Sequence, residues 1–358
     1  MAAVEMRERV TEWLTSSDTC FLLGAGCSRC AGKPLIGQLT ADVLAKLHAD
    51  VQTAFAGLKP IGGRPPTIED LINYLVRYNA ILATVADPTS HKFDPNWIDD
   101  ALKDIKFEIV SAIVDDWATS AVHERFFHRL AGHRRPVDVF SLNYDTLIEA
   151  TLDSMRANYT DGFRGSNRAW FDPATFDEIP ANSGIIRIFK LHGSINWLRE
   201  SNGHVRRAIV RTVDDLTDEP VVVYPSEQKY LQTQYGIYET MLGRLRSRLR
   251  ANGVNARLVT MGYSFNDEHI NEAIIDAVRA TGSNLTVIAF VGPDTDLVLQ
   301  ASRLQAIADR CDQRFNAYVG DSTSIGHALP SDETQDLLKE NLWQFEKLVD
   351  FVAGGPLA

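Results

Sequence analysis

Short apolar runs alternate with amphipathic segments along most of this chain. The runs are rich in β-branched or aromatic residues and read CFLLGAG, VDVFSL, IIRIFKL, ARLVTMGYSF, LTVIAFVG and FNAYVGD. Helical spacing follows several of them, as in Ile270, Ile274, Ile275 and Val278. Such an alternation predicts an α/β fold, with an open, parallel, Rossmann-like sheet that carries helices on both faces.

Three segments depart from the alternation. Residues 50–130 have helical periodicity and predict an all-helical insertion after the first strand–helix unit. Residues 157–235 are rich in Asn, Asp, Gly and Arg and predict loops and short strands that partly form a smaller lobe. Residues 333–352 predict one amphipathic C-terminal helix. We treat residues 1–358 as a single domain with these additions.

The charge of the chain restricts its partners. The net charge of −11 argues against a surface that coats nucleic acid, so contact with nucleic acid is expected only indirectly, through another protein. The first residues, MAAVEMRERVTEW, carry scattered charges and do not resemble a secretory signal. No stretch approaches the ~20 continuous apolar residues of a membrane helix. We therefore expect a cytoplasmic protein without membrane contact.

The cysteines indicate neither a disulfide framework nor a zinc site. The chain has four, of which Cys27 and Cys30 form a C-x-x-C pair. A structural zinc site would need a second such pair, or two histidines at finger spacing, and neither is present. The sequence therefore predicts no metal and no zinc ribbon. The pair is interpreted as two small residues packed in a tight loop, with a redox motif as the alternative.

Four of the apolar runs end in compact polar clusters. They are LLGAGCS (22–28), FSLNYDTLIE (140–149), FKLHGSINW (189–197) and VTMGYSFND (259–267). In an open parallel sheet, the carboxyl ends of the strands meet at one edge, where ligands bind. Four such ends on one chain predict a nucleotide site there.

The first cluster, Gly24-Ala25-Gly26-Cys27-Ser28, has two interpretations. Glycines let a backbone approach a pyrophosphate, and N–H groups before a helix can bind an anion. The same residues also suit a tight turn. The third glycine of a dinucleotide fingerprint is replaced by Arg29, so the loop would be of a non-dehydrogenase type.

The second cluster places Asn143 and Asp145 between a strand and a helix. Both residue types are preferred helix caps, and Thr146 with Glu149 has the spacing of a capping box. If that box caps the helix, the Asn143 amide is free to hold a ribose hydroxyl or a water molecule. The sequence leaves capping and ligand binding both open.

The third and fourth clusters offer a base and a close backbone approach. His192 is either a satisfied strand-end residue or a general base that titrates near neutrality. Gly262 and Ser264 would bring backbone and hydroxyl close to a ligand. Asn266 or Asp267 is expected to cap the next helix.

Taken together, the four clusters resemble the sirtuin-like family. That family has a GAG-x-S loop, an N-x-D strand end, a His-Gly pair and a Gly-x-Ser strand end, in this order. The resemblance covers roughly residues 15–48 and 120–330, and the motifs look more like those of the bacterial branch than those of the histone-deacylating branch.

The resemblance implies that NAD is the ligand and substrate. It implies that Gly24, Ala25, Gly26 and Ser28 contact the phosphates, with Gly262 close by. By the same resemblance, Asn143 would hold the nicotinamide ribose or the attacking water, Asp145 the carboxamide, and His192 would act as base. Ser264 and Asp321 would lie near the adenosine.

The chain also departs from deacylating sirtuins, because the two C-x-x-C pairs of their zinc lobe are missing. The resemblance to the bacterial branch therefore implies an NAD hydrolase that depletes NAD as an antiviral defence effector. The alternatives are an NAD-dependent protein deacylase, or a nucleotide-binding scaffold that works with a HerA-type hexameric ATPase. Such a hydrolase must be gated, and the insertion and the tail helix each offer apolar faces beyond what the α/β core needs. We therefore expect a homo-oligomer of more than two subunits that docks onto a partner of this kind.

Overall fold

The computed structural model describes residues 2–60, 63–114, 119–133, 135–166, 168–222, 236–250, 256–326 and 331–353. The strands in these ranges are β1 (Thr19–Leu23), β2 (Val137–Ser141), β3 (Tyr159–Thr160), β4 (Phe163–Arg164), β5 (Ala169–Phe171), β6 (Ile186–Lys190), β7 (Gly193–Arg199), β8 (Val205–Arg207), β9 (Glu219–Val222), β10 (Arg257–Met261), β11 (Thr286–Val291), β12 (Phe315–Val319) and β13 (Thr323–Ile325). The helices are α1 (Ala2–Thr15), α2 (Ile36–Leu44), α3 (Ala49–Ala56), α4 (Ile68–Leu82), α5 (Pro95–Ile113), α6 (Ala121–Ala131), α7 (Leu147–Ser154), α8 (Ile237–Arg250), α9 (Glu268–Arg279), α10 (Leu297–Arg310), α11 (Ser331–Lys339) and α12 (Phe345–Ala353).

An eight-stranded sheet forms the centre of the molecule, in the order β13-β12-β11-β10-β1-β2-β6-β3. Its strand pairs are parallel except for the terminal pair of β12 with β13. The six strands predicted from the apolar runs are all present, which confirms the predicted α/β class. Their residues are buried on both faces, and this explains why they are continuously apolar rather than alternating.

Helices cover both faces of this sheet. One face packs against α8, α9 and α10 through a core that includes Met241, Ile274 and Leu304. The other face packs against α1, α6, α7 and the tail helices, with Val10 and Phe127 in its core. None of the described helices is long and apolar enough to cross a membrane.

The helical insertion has its own core, and its limits differ from the predicted 50–130. Helices α2, α3, α4 and α5 bury residues such as Val43, Leu71 and Ile105 against one another. Helix α2, which begins at Ile36, belongs to this group, whereas α6 packs with the main sheet through Phe126 and Phe127. The insertion unit therefore covers 36–113, because burial and not helicity decides which helices belong together.

The tail is two helices instead of the single one predicted over 333–352. Helices α11 and α12 are separated by a turn at 340–344, where Asn341 has a φ of +56°. The break turns the chain so that both helices place their apolar residues in the main core. These residues include Leu337, Leu338, Leu348 and Val349.

The segment predicted as small-lobe loops contains a second sheet. Its order is β4-β5-β8-β7-β9, and its strand pairs are antiparallel. Strand β7 follows directly after His192, so this lobe is built onto the end of β6. The short strands and intervening turns explain why only a vague irregular pattern is visible in the sequence.

Candidate functional site

Four strands of the main sheet end at one level, and the predicted clusters follow them. Leu23 is paired with both Ser141 and Met261, and Ser141 is also paired with Lys190. The chain then continues within one or two residues to Gly24, Gly262, Asn143 and His192. The clusters therefore share one edge, as the parallel sheet predicts, and we call this edge the candidate site.

The glycine loop contacts the loop that follows β10. A Cβ atom added to Gly24 would lie 2.4 Å from the Gly262 carbonyl oxygen, and one added to Gly26 would lie 2.7 Å from the Gly262 Cα. Gly262 has a φ of +64°, and a Cβ there would lie 2.4 Å from the Cys27 nitrogen. These positions require glycine because two backbones touch.

The same contact occupies two backbone donors. The Gly24 N–H donates to the Met261 carbonyl at 2.9 Å, and the Gly26 N–H donates to the Gly262 carbonyl at 3.0 Å. These two N–H groups are therefore not available to a phosphate. The tight-turn interpretation accounts for the glycines, and any phosphate role of the loop falls to its other groups.

Asn143 is buried and is held by the glycine loop. Its Nδ2 donates to the Gly24 carbonyl at 3.1 Å and to Ser28 Oγ at 2.9 Å. Its backbone N–H donates to Ser141 Oγ at 3.1 Å. Within the described ranges, its Oδ1 is a buried acceptor that has no hydrogen-bond partner. A buried unpaired acceptor costs on the order of 1–3 kcal/mol, so the atom is poised to accept a hydrogen bond from a bound molecule.

The predicted capping box at α7 is wrong. Thr146 occupies the N-cap position but makes no side-chain capping bond. Asp145 takes the role instead, because its Oδ1 accepts from the Leu147 N–H at 3.1 Å. The Glu149 side chain points to Lys190.

Lys190 and Glu149 form a buried ion pair beneath the site. The two charged atoms are 3.4 Å apart and both side chains are almost fully excluded from solvent. Lys190 Nζ also donates to the Asp145 carbonyl. Burial raises the pKa of Glu149, and the positive charge of Lys190 opposes that rise. The pair ties the end of β6 to the loop that carries Asn143 and Asp145.

His192 is buried and is hydrogen-bonded to Asp267. The distance from its Nε2 to the Asp267 Oδ2 is 2.8 Å. Asp267 was expected only as a helix cap, and it does cap α9 through its other oxygen. The sequence does not predict the pairing of Asp267 with His192, because the two residues are far apart in the chain. The only indication is that an acidic residue follows GYSFN.

Tyr144 connects the site to the insertion. It lies between Asn143 and Asp145, and its hydroxyl donates to Glu69 Oε1 on α4 at 2.9 Å. Its ring centroid is 6.3 Å from that of His192. The insertion therefore contacts the residue between two site side chains.

Ser264 and Asp321 follow two different strands of the main sheet, β10 and β12. Ser264 is exposed, with its Oγ 3.0 Å from the Asn266 Nδ2 and its carbonyl accepting from Arg303. Asp321 is exposed and follows β12, which is separated from β1 by β11 and β10. The structure does not bring Asp321 together with Asn143.

The cysteine thiols make local hydrogen bonds, and a separate cavity contains none of the predicted site residues. The Cys27 thiol donates to the Met261 carbonyl at 3.1 Å, and the Cys30 thiol to the Cys27 carbonyl at 3.3 Å. Among the described residues, no group of three or more His, Cys, Asp or Glu side chains could hold a metal ion. A cavity of about 720 Å³ is lined by Phe315, Ile325 and neighbouring polar residues, none of them a predicted site residue.

A central segment of the chain matches the model of a known domain family. Residues 137–311 match the SIR2-like domain model. The match includes Asn143, Asp145, His192 and Gly262, but neither the glycine loop nor Asp321. No curated protein matches the chain.

Solved structures show a remote similarity to this chain. A crystal structure of a Sir2 homologue in complex with NAD has 13% sequence identity and a TM-score of 0.41, with 96% of this chain and 94% of that chain covered. A point mutant of a Sir2 homologue in complex with ADP-ribose has 12% identity and a TM-score of 0.39, with 96% and 97% covered. A second such mutant complex has 11% identity and a TM-score of 0.37, with 96% and 98% covered.

Proposed function

We propose that this protein hydrolyses NAD to nicotinamide and ADP-ribose. The observation that carries the proposal is the Asn143 Oδ1 atom, a buried acceptor without a partner among the described residues, at the strand end beside that of His192. The match of residues 137–311 to the SIR2-like domain model supports the choice of NAD. The resemblance of the four clusters to the sirtuin-like family supports the same substrate.

The reaction needs little chemical machinery. The bond from C1′ of the ribose to the nicotinamide nitrogen breaks, and its electron pair leaves with the ring, which becomes neutral nicotinamide. A water oxygen forms the new bond to C1′ and loses a proton. The protein has to hold the ribose, exclude other nucleophiles and direct this water.

The site residues divide these tasks. We assign Asn143 Oδ1 to accept a hydrogen bond from the attacking water or a ribose hydroxyl. His192 accepts the proton that the water releases. For Asp145, the proposed contact with the nicotinamide carboxamide falls to Oδ2, because Oδ1 accepts from the Leu147 N–H.

We further propose that the activity serves antiviral defence by depleting NAD, in a homo-oligomer that docks onto a HerA-type ATPase. An NAD hydrolase that was always active would harm its own cell, so assembly is a suitable means of control. The insertion supports this, because it exposes the apolar side chains of Ile81 and Phe107. The tail helices do not support control by assembly, because their apolar residues are buried in the main core. Light scattering on the purified chain tests the assembly, and a fully active monomer at micromolar concentration would contradict it.

The central experiment follows nicotinamide release from NAD by the purified chain, with and without an acylated peptide. Release without peptide supports hydrolysis. Release that requires the peptide, with transfer of its acyl group, identifies a deacylase. Binding of NAD without release identifies a nucleotide-binding scaffold.

A further inference from the structure

Asp267 uses its two carboxylate oxygens for different partners. Oδ1 accepts from the backbone N–H groups of His269 and Ile270, at 3.0 and 3.4 Å, and so caps α9. Oδ2 lies 2.8 Å from the Nε2 of His192. Both side chains of this pair are buried, with exposed fractions of 7% for His192 and 4% for Asp267. A hydrogen bond between buried charged or polar groups is stronger and more directional than one in water.

The loop before Asp267 is fixed by its own hydrogen bonds. The Tyr263 hydroxyl lies 3.0 Å from the Asp267 carbonyl oxygen and 2.8 Å from the Asn271 Oδ1. The Asn271 Nδ2 donates to the carbonyl of Phe265 at 3.0 Å. Phe265 is fully buried and has a φ of +58°, a conformation that costs on the order of 1–3 kcal/mol in a residue other than glycine. Such strain is retained only where the surroundings determine the conformation, so the Asp267 carboxylate is held in place.

The pairing determines which nitrogen of His192 carries the hydrogen. A carboxylate can only accept hydrogen bonds, so the Nε2 of the neutral ring must be the donor. The lone pair of the neutral ring is then on Nδ1. A residue that only caps a helix uses one carboxylate oxygen, and this role does not require its other oxygen to contact a histidine.

We propose that Asp267 is a positioning residue that holds His192 in the Nε2–H tautomer, so that Nδ1 is the atom that accepts the proton. This proposal rests on the proposed NAD hydrolysis for its role in turnover. In that step, the O–H bond of the water breaks, an N–H bond forms at Nδ1, and the ring becomes a cation beside the Asp267 carboxylate. Asp267 itself gains and loses no proton.

The variant that tests this is Asp267→Asn. Asparagine caps helices about as well as aspartate, so α9 should keep its start. Its Nδ2 can donate to the His192 Nε2, which favours the opposite tautomer with the hydrogen on Nδ1. We expect kcat for nicotinamide release to fall at least ~10²-fold, with KM changed less than about threefold. The matched control is Asp296→Asn, since Asp296 caps α10 through the Leu299 N–H in the same way.

A second readout does not depend on activity. In ¹⁵N-histidine NMR spectra, the signals of His192 are assigned by their loss in His192→Gln, and their shifts report the tautomer. We expect Nε2–H in the wild type and in Asp296→Asn, and Nδ1–H in Asp267→Asn. A wild-type His192 with its hydrogen on Nδ1, or a tautomer unchanged in Asp267→Asn, overturns the proposal. If the wild type proves inactive on NAD, the proposed function fails while the spectra still decide the role of Asp267.

Discussion

Gly24 and Gly262 touch backbone to backbone, so that the loops after β1 and β10 pack with no side chain between them. A Cβ on Gly24 would lie 2.4 Å from the Gly262 carbonyl oxygen. The glycines that suggest a phosphate loop in the sequence are thus explained first by the joining of two loops. Ser28, in the same glycine loop, accepts a hydrogen bond from the Asn143 amide at 2.9 Å.

The first prediction concerns Gly262→Ala, which should destabilise the protein by at least about 2 kcal/mol. The new Cβ meets the Cys27 nitrogen, and a φ of +64° is strained for alanine. Chemical denaturation measures the loss. Gly243→Ala is the matched control, because Gly243 lies inside α8 with open space around it. Alanine at this position should raise the free energy of unfolding by about 0.5–1 kcal/mol. Equal effects of the two changes would contradict the explanation.

The second prediction concerns turnover. Asn143→Ala and His192→Ala should each reduce nicotinamide release from NAD at least ~10²-fold, because one removes the buried acceptor and the other the base. Circular dichroism should show an intact fold. The controls are Asn202→Ala and His204→Ala, two exposed residues in a turn of the small lobe. Near-normal release by both site variants would exclude the assigned roles.

The third prediction concerns the buried ion pair. Lys190→Met leaves the Glu149 carboxylate without its partner and should cost about 3–5 kcal/mol at neutral pH. The double variant with Glu149→Leu should recover most of this loss, since it buries no charge. If the loss of stability in the double variant equals the sum of the losses in the two single variants, the ion pair is not the cause of the destabilisation.

The pH dependence of Lys190→Met gives an independent check. Burial raises the pKa of Glu149 above its ordinary value of 4.5, and without the lysine the pKa rises further. The folded state then binds a proton more tightly than the unfolded state, so stability falls as pH rises above about 4.5 through the raised pKa. The variant should therefore lose less stability at pH 5 than at pH 8.

The fourth prediction concerns acid unfolding. Burial lowers the pKa of His123 from 6.5 to about 4, so this histidine is neutral in the folded protein. The unfolded state binds the proton more tightly, and stability should fall as pH drops from 6.5 to about 4. The contribution is about 3 kcal/mol, at ~1.4 kcal/mol per pKa unit.

His123→Leu should flatten that acid slope, as measured by denaturation at several pH values. His128→Gln, an exposed residue on the same helix, is the control and should leave the slope unchanged. An identical slope in His123→Leu and the wild type would show that other groups govern the acid response.

The sequence predicted the central sheet well, because its strands are buried on both faces and are therefore continuous apolar runs in the sequence. Asn143 and His192 could be placed at one edge for the same reason, since both follow such strands directly. The role of Asp267 could not be predicted in full. A capping aspartate is explained by its own helix, and the contact with His192 depends on how two distant loops meet.

The packing of one element against another also could not be predicted from the local sequence pattern. Helix α6 has the same amphipathic spacing as α5, yet its Phe127 packs on the main sheet while Ile105 of α5 packs within the insertion. The Lys190 side chain gave a signal, a charge inside an apolar run, but its partner Glu149 also fitted a local capping pattern. A local pattern predicts whether a segment forms a helix or a strand, but tertiary contacts determine which elements it packs against.

The position of β1 in the middle of the sheet has a consequence for synthesis on the ribosome. β1 is synthesised before both of its neighbours in the sheet, because β2 comes only after the whole insertion and β10 comes later still. The insertion has its own core and mostly local contacts, so it can fold while β1 still waits. During that interval both edges of this apolar strand are unpaired, so the nascent chain is prone to aggregate until β2 and β10 have been made.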